Sequence, residues 1–339
     1  MQTEFEFITK LKIKLLSKRI LQTTCRVGIG DDCAVLPKDS KTDLVITTDL
    51  LVEDIDFRLE WTRAEFLGHK ALAVSLSDVA AMGAKPVWAM LSIGVPESVW
   101  KTDFVDKFYD GWFDLAKKFD VELVGGDISK TPDKIVIDSI VAGETRKGRA
   151  VLRSGAKAGD LIYVTGILGG ASYGLALLEN GERLPEKLRN PDNNVERRAM
   201  LKQLRPTPQT EIGQIIGAKG LATAMIDLSD GLSSDLTHLC RENKVGANIY
   251  PHSILKFPKP KLLFSRKEEK LTCLSNSLNG GEDFELLFTV NPKKKLRLEK
   301  ELKNRYFSRI GEITANAGMI ELISDKKSSI LEPKGFRHF

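Results

Sequence analysis

The stretch MIDLSDGLSSDL, residues 225–236, starts as an apolar strand and then places Asp227, Asp230 and Asp235 among small residues and a glycine. The pattern recurs along the chain. Asp31 and Asp32 stand in GIGDD, Asp49 in LVITTDLLV, Asp127 in LVGGD, and Glu282 and Asp283 in GGEDFELLF. Asp78 lies in SLSD, within an alanine-rich run, three residues after Ser75 and so on the same helix face. Any one of these acids reads as a turn or cap residue. Their repetition at the ends of apolar runs is the strongest constraint on the fold. Carboxylates gathered beside a core lose hydration and repel one another unless cations join them. Lys70 and Arg153 are nearby but too few to balance so many acids. Divalent ions would. Carboxylate, hydroxyl and water ligands, completed by substrate phosphates, suit magnesium.

The runs between the acids alternate in type. Residues 5–22 have helical spacing of Phe7, Ile8, Leu11, Leu15 and Leu16. GIGDD is a turn before a short strand, and residues 44–52 are a strand. Residues 64–85 form a buried helix stopped by Gly83. A strand (VWAMLSIGVP), a helix over 100–118, a strand with a glycine turn (VELVGGD) and a further strand (KIVIDSIVAGE) follow. The glycine-rich charged run 143–160 is the best linker candidate. Beyond it come strand–glycine turn–helix in LIYVTGILGGASYGLALLEN, a polar excursion over 180–200, and a proline-started helix in RPTPQTEIGQIIGAKG. Strand–acidic turn–helix in the DLSD region, a strand at 284–290 and a basic surface helix complete the chain. At 339 residues the chain exceeds what one core usually serves. The expectation is an α+β protein of two domains, 1–147 and 148–339.

Several function classes are excluded. The net charge of +5 is mild. Its late basic runs, KFPKPKLLFSRKEEK and NPKKKLRLEKELKNR, read as solvated faces, so no nucleic acid is expected. Cys25, Cys33, Cys240 and Cys273 form no CxxC pair, which fits a reducing cytoplasm. No signal peptide and no membrane-length apolar run is visible. Walker A and protein-kinase motifs are missing, so any ATP use needs another architecture. Glycines in GGD and GGED let backbone approach a ligand, and VTGILGG before a helix offers N–H groups to an anion. His69 and His238 read as structural, and Cys33 as a packed thiol.

At these motifs the chain resembles the thiamine-monophosphate kinases, within the superfamily of aminoimidazole-ribonucleotide synthetase and selenophosphate synthetase. The likeness rests on GIGDDCAVL, TTDLLVE, GHKALAVSLSDVAAMGA, LVGGD, RSGAKAGDLIYVTG, RPTP, IDLSDGLSSDL, GGEDFELLF, IGEI and the terminal GFRHF, in that order over nearly the whole chain. It implies direct transfer of the ATP γ-phosphate to thiamine monophosphate, without a phosphoenzyme. It implies several magnesium ions held by Asp32, Thr47, Thr48, Asp49, Asp78, Asp127, Asp227 and Asp230, with Asp31 in the same turn. It assigns Tyr109, Gly126, Asp127, Arg153 and Ser229 to ATP, and Glu282, Phe336 and the Asp56 position to the thiamine substrate. It further implies a homodimer in which two N-terminal sheets pair into a barrel. An acceptor that is already an anionic phosphate needs no general base, which agrees with a site rich in carboxylates.

The chain departs from the family pattern at five positions. Asp56 in VEDIDF replaces a usual His, Ser75 a usual Asn, Gln209 a usual Arg, Phe284 a usual Tyr, and Phe336 a usual Trp or Tyr. None is a proposed metal ligand, so an active kinase with altered substrate contacts is expected. The alternatives are another ATP-dependent reaction on this scaffold, in which Cys25 would be the only reactive thiol near the N-terminus, or a binding module without turnover.

Overall fold

The computed structural model describes residues 4–17, 24–188, 194–258, 273–324 and 327–336. In chain order the first half contains α1 (Glu4–Ser17), β1 (Ala34–Pro37), β2 (Thr42–Val52), α2 (Ala64–Ala81), β3 (Lys85–Pro96), α3 (Glu97–Trp100), α4 (Phe104–Phe119), β4 (Glu122–Thr131) and β5 (Val136–Arg146). The second half contains β6 (Leu161–Thr165), α5 (Gly170–Glu179), α6 (Val195–Leu204), α7 (Thr210–Lys219), β7 (Ala224–Asp227), α8 (Leu232–Asn243) and β8 (Gly246–Ile249). It continues with α9 (Cys273–Asn279), β9 (Leu286–Val290), α10 (Lys295–Glu301), β10 (Phe307–Thr314), β11 (Ile320–Ser324) and β12 (Lys327–Ile330). Each half is built on its own mixed sheet, five strands in the order β1-β2-β5-β3-β4 and seven in the order β12-β11-β8-β10-β6-β9-β7. The expected two-domain α+β architecture is present. The helix read over 5–22 is seen as α1, and residues 18–22 lie outside the described residues. So do most of the basic run 256–270, the tip of the excursion at 189–193, and residues 337–339 with His338.

Helix α2 is the axis of the molecule. Every residue in it is buried except Glu65 and Asp78. One side packs on β2 and β5 and on α4; another meets α7 and β7 of the second half. Its alanines and serines exist because a helix enclosed on all sides has no room for large side chains. The α2–α4 crossing is closest at two glycines. A Cβ on Gly68 would lie 1.8 Å from the Phe108 carbonyl oxygen, and one on Gly111 would lie 1.8 Å from that of Glu65. Trp112 and Phe108 fill the remaining space and are fully buried.

Two sequence readings change. LVGGD is no turn: Gly125, Gly126 and Asp127 lie inside β4, which runs parallel to β3. A Cβ on Gly126 would sit 1.9 Å from the Leu91 carbonyl oxygen, so this glycine serves close strand pairing. The prolines of RPTP precede α7, whose first residue is Thr210. The linker run is also more fixed than its composition suggests. Its backbone bonds to both halves, Val151 N–H to the Met82 carbonyl at 3.0 Å and Met225 N–H to the Leu152 carbonyl at 2.9 Å. Residues 182–188 of the excursion are pinned too. Arg58 and Arg183 lie over the Trp61 ring at 5.2 and 5.4 Å, and Arg63 donates to the carbonyls of Leu184, Pro185 and Glu186.

The glycine crossing sets up a contest of effects in Gly68→Ala. Alanine gains about 1 kcal/mol in helix propensity, whereas overpacking costs about 1–3 kcal/mol and more against backbone. A net loss of about 2 kcal/mol is expected in urea unfolding, because the clash is with a carbonyl that cannot rotate away.

Candidate active site

A cleft of 880 Å³ opens where the two halves meet. The GIGDD turn, β2, the turn after it and α2 supply one side; the DLSD turn, α8, the GGED loop and Phe336 supply the other. Of the residues read from the sequence, Asp31, Asp32, Thr47, Thr48, Asp49, Asp56, Asp78, Arg153, Ser229, Asp230, Glu282 and Phe336 line it. Cys25 is not among the lining residues.

Asp32 and Asp78, which line the cleft, and Asp227, which is buried, each bring an oxygen within 4.8 Å of the others. They come from the turn before β1, from α2 and from the end of β7, and only the fold brings them together. Small hydroxyls hold each acid from behind. Thr47 Oγ1 donates to Asp78, Ser77 Oγ donates to Asp227 at 2.7 Å, and Ser75 Oγ donates to Asp49 at 2.7 Å. The Ser75 that replaces an expected Asn therefore still donates to an acid. Asp32 Oδ1 accepts from Arg153 Nε at 2.9 Å, while its Oδ2 is buried and has no hydrogen-bond partner. Asp31 accepts from the backbone N–H groups of Asp32 and Arg153. A buried carboxylate oxygen without a donor, facing two further carboxylates, fits a divalent cation held by oxygen ligands.

The electrostatics carry the same signature. Burial first, and Asp32 second, push Asp31 up to about 7 and Asp227 to about 8. Burial pushes Asp49 to about 6. Asp78 is raised well above the usual carboxylate range by burial and then by Asp49, Asp227 and Asp32. Burial acts against the Arg153 cation, yet the Asp32 charge overcomes it and raises that guanidinium further.

The glycine motifs do a different job from the one expected. The N-terminus of α5, read as an anion site, already holds an anion: Asp283 accepts from Gly169 N–H and Ala171 N–H at 2.5 and 3.1 Å. The GGED loop packs backbone to backbone on the DLSD turn. Glu282 N–H donates to the Ser229 carbonyl at 2.7 Å and Phe284 N–H to that of Leu228 at 2.9 Å. Asp235 is accounted for within its own helix, accepting from Gly231 N–H at 3.0 Å. His69 is structural, as read: its Nε2 meets the Pro206 carbonyl at 2.7 Å, and burial lowers it to about 4. His238 does line the cleft.

On the thiamine side of the expected site, Phe336 is held by its N–H to the Asp230 carbonyl at 3.1 Å and remains 48 % exposed in the cleft. Asp56 spends one oxygen on Val52 N–H at 2.8 Å, which ties off the turn after β2. Lys70 Nζ pairs with Glu282 at 2.6 Å, and Gln203 Nε2 donates to the same carboxylate. Gln203 was not foreseen; a glutamine on an ordinary helix gives no signal in one sequence. Asp138 was also missed. It accepts from Thr48 Oγ1 at 2.6 Å and shares a rung of the sheet with Ser92 and Asp127. Its alternation in VIDSIV is the signal that could have found it.

Asp227, Tyr109, Gly126 and Asp127 are not among the residues lining the cleft, although Asp227 meets Asp32 and Asp78, which are. Tyr109 is half-buried on α4 between Phe108 and Phe113, and β4 is an exposed edge strand.

Residues 30–145 match the AIR synthase related protein N-terminal domain, and residues 157–322 its C-terminal domain. Across 99% of this chain and 98% of the relative, the chain is 38% identical to a thiamine-monophosphate kinase of Escherichia coli strain K12. The chain belongs to the thiamine-monophosphate kinase family. A Bacillus subtilis strain 168 thiamine-monophosphate kinase is 36% identical over 95% of this chain and 96% of its own. A solved structure described as AaThiL complexed with AMPPCP and TMP superimposes with a TM-score of 0.79 at 31% identity, covering 100% of this chain and 97% of that one. Among the described residues, no helix of this family member is long and apolar enough to cross a membrane.

The raised carboxylates have a consequence for stability. The folded chain holds these protons more tightly than the unfolded chain, whose aspartates titrate near 3.8. The stability these three groups contribute is therefore greatest below that value and is lost as pH rises through about 6, 7 and 8 for Asp49, Asp31 and Asp227. In chelator, the melting temperature is expected to fall from about pH 5 to about pH 8.5, and millimolar magnesium is expected to flatten that fall. Asp78→Asn is expected to raise the melting temperature in chelator by a few degrees, because it removes a buried acid whose charged form burial and the neighbouring aspartates disfavour.

Proposed function

We propose that this chain transfers the γ-phosphate of ATP directly to thiamine monophosphate, giving thiamine diphosphate and ADP. The observation that carries the reading is the cluster of Asp32, Asp78 and Asp227, with its unpartnered buried oxygen, two of whose acids line the cleft of a chain alike to such kinases along its length. The related structure with AMPPCP, an ATP analogue, and TMP supports the choice of both substrates. Asp31, Asp32, Thr47, Thr48, Asp49, Asp78, Asp127, Asp227 and Asp230 are assigned to magnesium. Tyr109, Gly126, Asp127, Arg153 and Ser229 are assigned to the nucleotide, and Asp56, Glu282 and Phe336 to thiamine monophosphate. Magnesium, when bound, offsets the charge of both phosphate groups. The chain orients the acids through Thr47, Ser75 and Ser77, supplies the Arg153 cation beside them, and needs no base for an acceptor that is already anionic.

The working form is a cytoplasmic homodimer whose two five-stranded sheets close into a barrel. Support comes from the sheet itself: β4 is exposed along almost its whole length, and Val124 and Ile128 on it, Met90 on the adjacent β3 and Leu50 on β2 of the same sheet are exposed apolar residues. An uncovered edge strand with apolar neighbours is a pairing surface. Tyr109, Gly126 and Asp127 then complete the nucleotide site from that face. The domains divide at residue 147, 1–147 for nucleotide, metal and dimer and 148–339 for completing the site.

Purified protein with magnesium, ATP and thiamine monophosphate is expected to form thiamine diphosphate, read by chromatography with fluorescent detection, and to stop when the metal is chelated. Lack of product with ATP bound would reject the acceptor. Asp78→Asn and Asp230→Asn are each expected to lower turnover by about 100-fold or more while the fold is kept. Light scattering is expected to give twice the chain mass; a monomer at working concentration would reject the barrel.

A further inference from the structure

Glu282 is held with unusual completeness for a loop residue. Its φ is +63°, a left-handed conformation that a glutamate adopts only when its surroundings enforce it. Its N–H is tied to Ser229, one carboxylate oxygen meets Lys70 Nζ at 2.6 Å, and the other accepts from Gln203 Nε2. Lys70 is the less expected partner. Its side chain is 3% exposed, deep in α2, and its ammonium also donates to the Asp56 carbonyl at 3.0 Å. Among the described residues no third acceptor for it is recorded, and Lys70 lines the cleft. A lysine drawn this far from water costs free energy that a packed apolar side chain would not. What it gives in return is geometry. Lys70 and the Asp56 turn belong to the first half, Glu282 and Gln203 to the second. A single ammonium therefore sets the spacing of the Asp56 turn and Glu282, the two polar groups assigned above to the acceptor.

We propose that Lys70 is a positioning residue for the acceptor, acting through Glu282 and the Asp56 turn, with Gln203 as the second brace of the same carboxylate. The assignment rests on the kinase reading above. With Lys70 and Gln203 each taking one oxygen, the remaining lone pairs of Glu282 point in fixed directions. That suits a donor on a rigid planar ring, such as the amino group of an aminopyrimidine. Losing the brace leaves Glu282 able to turn, and loss of orientation appears as weaker use of that substrate alone.

The test is steady-state kinetics of the full chain with magnesium, ATP and thiamine monophosphate, on wild type, Lys70→Met, Glu282→Gln and the double variant. Lys70→Met is expected to raise KM for thiamine monophosphate about 10-fold or more, with KM for ATP within about 2-fold of wild type. The double variant is expected to be no worse than Glu282→Gln within about 2-fold, because both changes remove one linked contact. An unchanged acceptor KM, equal losses for both substrates, or effects that multiply in full would each overturn the proposal. If Lys70→Met does not fold, Gln203→Leu replaces it, since it frees the same carboxylate from the other side. The same selective rise in acceptor KM supports the proposal and no rise overturns it. Wild type that makes no thiamine diphosphate overturns the kinase reading itself, and this assignment with it.

Discussion

Like charges held together out of water govern this molecule. Asp32, Asp78 and Asp227 come from three elements far apart in sequence, and their oxygens still meet within 4.8 Å. The apolar packing that forces the meeting is that of α2, which both sheets share. Hydrophobic burial along this helix offsets a local arrangement that would be unstable alone. Arg153 holds Asp32 and relieves part of the repulsion from within the chain, and the hydroxyls of Thr47 and Ser77 fix where Asp78 and Asp227 point. The energetic cost is local and the stabilisation is spread over the core, as in many sites that hold strain for function.

Much of this was legible in the sequence because it leaves a local trace. The acids in DLSD, GIGDD and SLSD stand out against apolar neighbours, and the alanine-rich run announces an enclosed helix. What stayed hidden depends on partners distant in the chain. GGD in β4 looks like a turn, since glycine required by a neighbouring strand is indistinguishable from glycine required by a bend. The glycines before α5 look like a phosphate cradle, and only the fold brings Asp283 to their N–H groups. Gln203 and Asp138 carry no signal beyond ordinary alternation or helix pattern, so their roles emerge from contact alone.

The occupied N-terminus of α5 narrows how phosphate can be held. Helix ends and glycine loops are the usual protein donors to phosphate. Here the chain's own carboxylate fills that one. The cationic side chains that line the cleft, Arg153 and Lys70 among them, remain as the chain's own partners for phosphate, beside any ions its carboxylates hold. A site of this kind binds its polyanions only as well as it binds its cations, and the two affinities are linked.

The segment joining the halves has a further consequence. Residues 147–160 have the composition of a flexible tether, but the backbone of Val151 is bonded to Met82 and that of Leu152 to Met225, and Arg153 follows directly after these anchors. Ordinary tethers drift in length over evolutionary time because nothing reads their count of residues. This one is a ruler. Adding or deleting a residue between Val151 and Arg153 would slide the guanidinium off Asp32 while leaving both sheets intact.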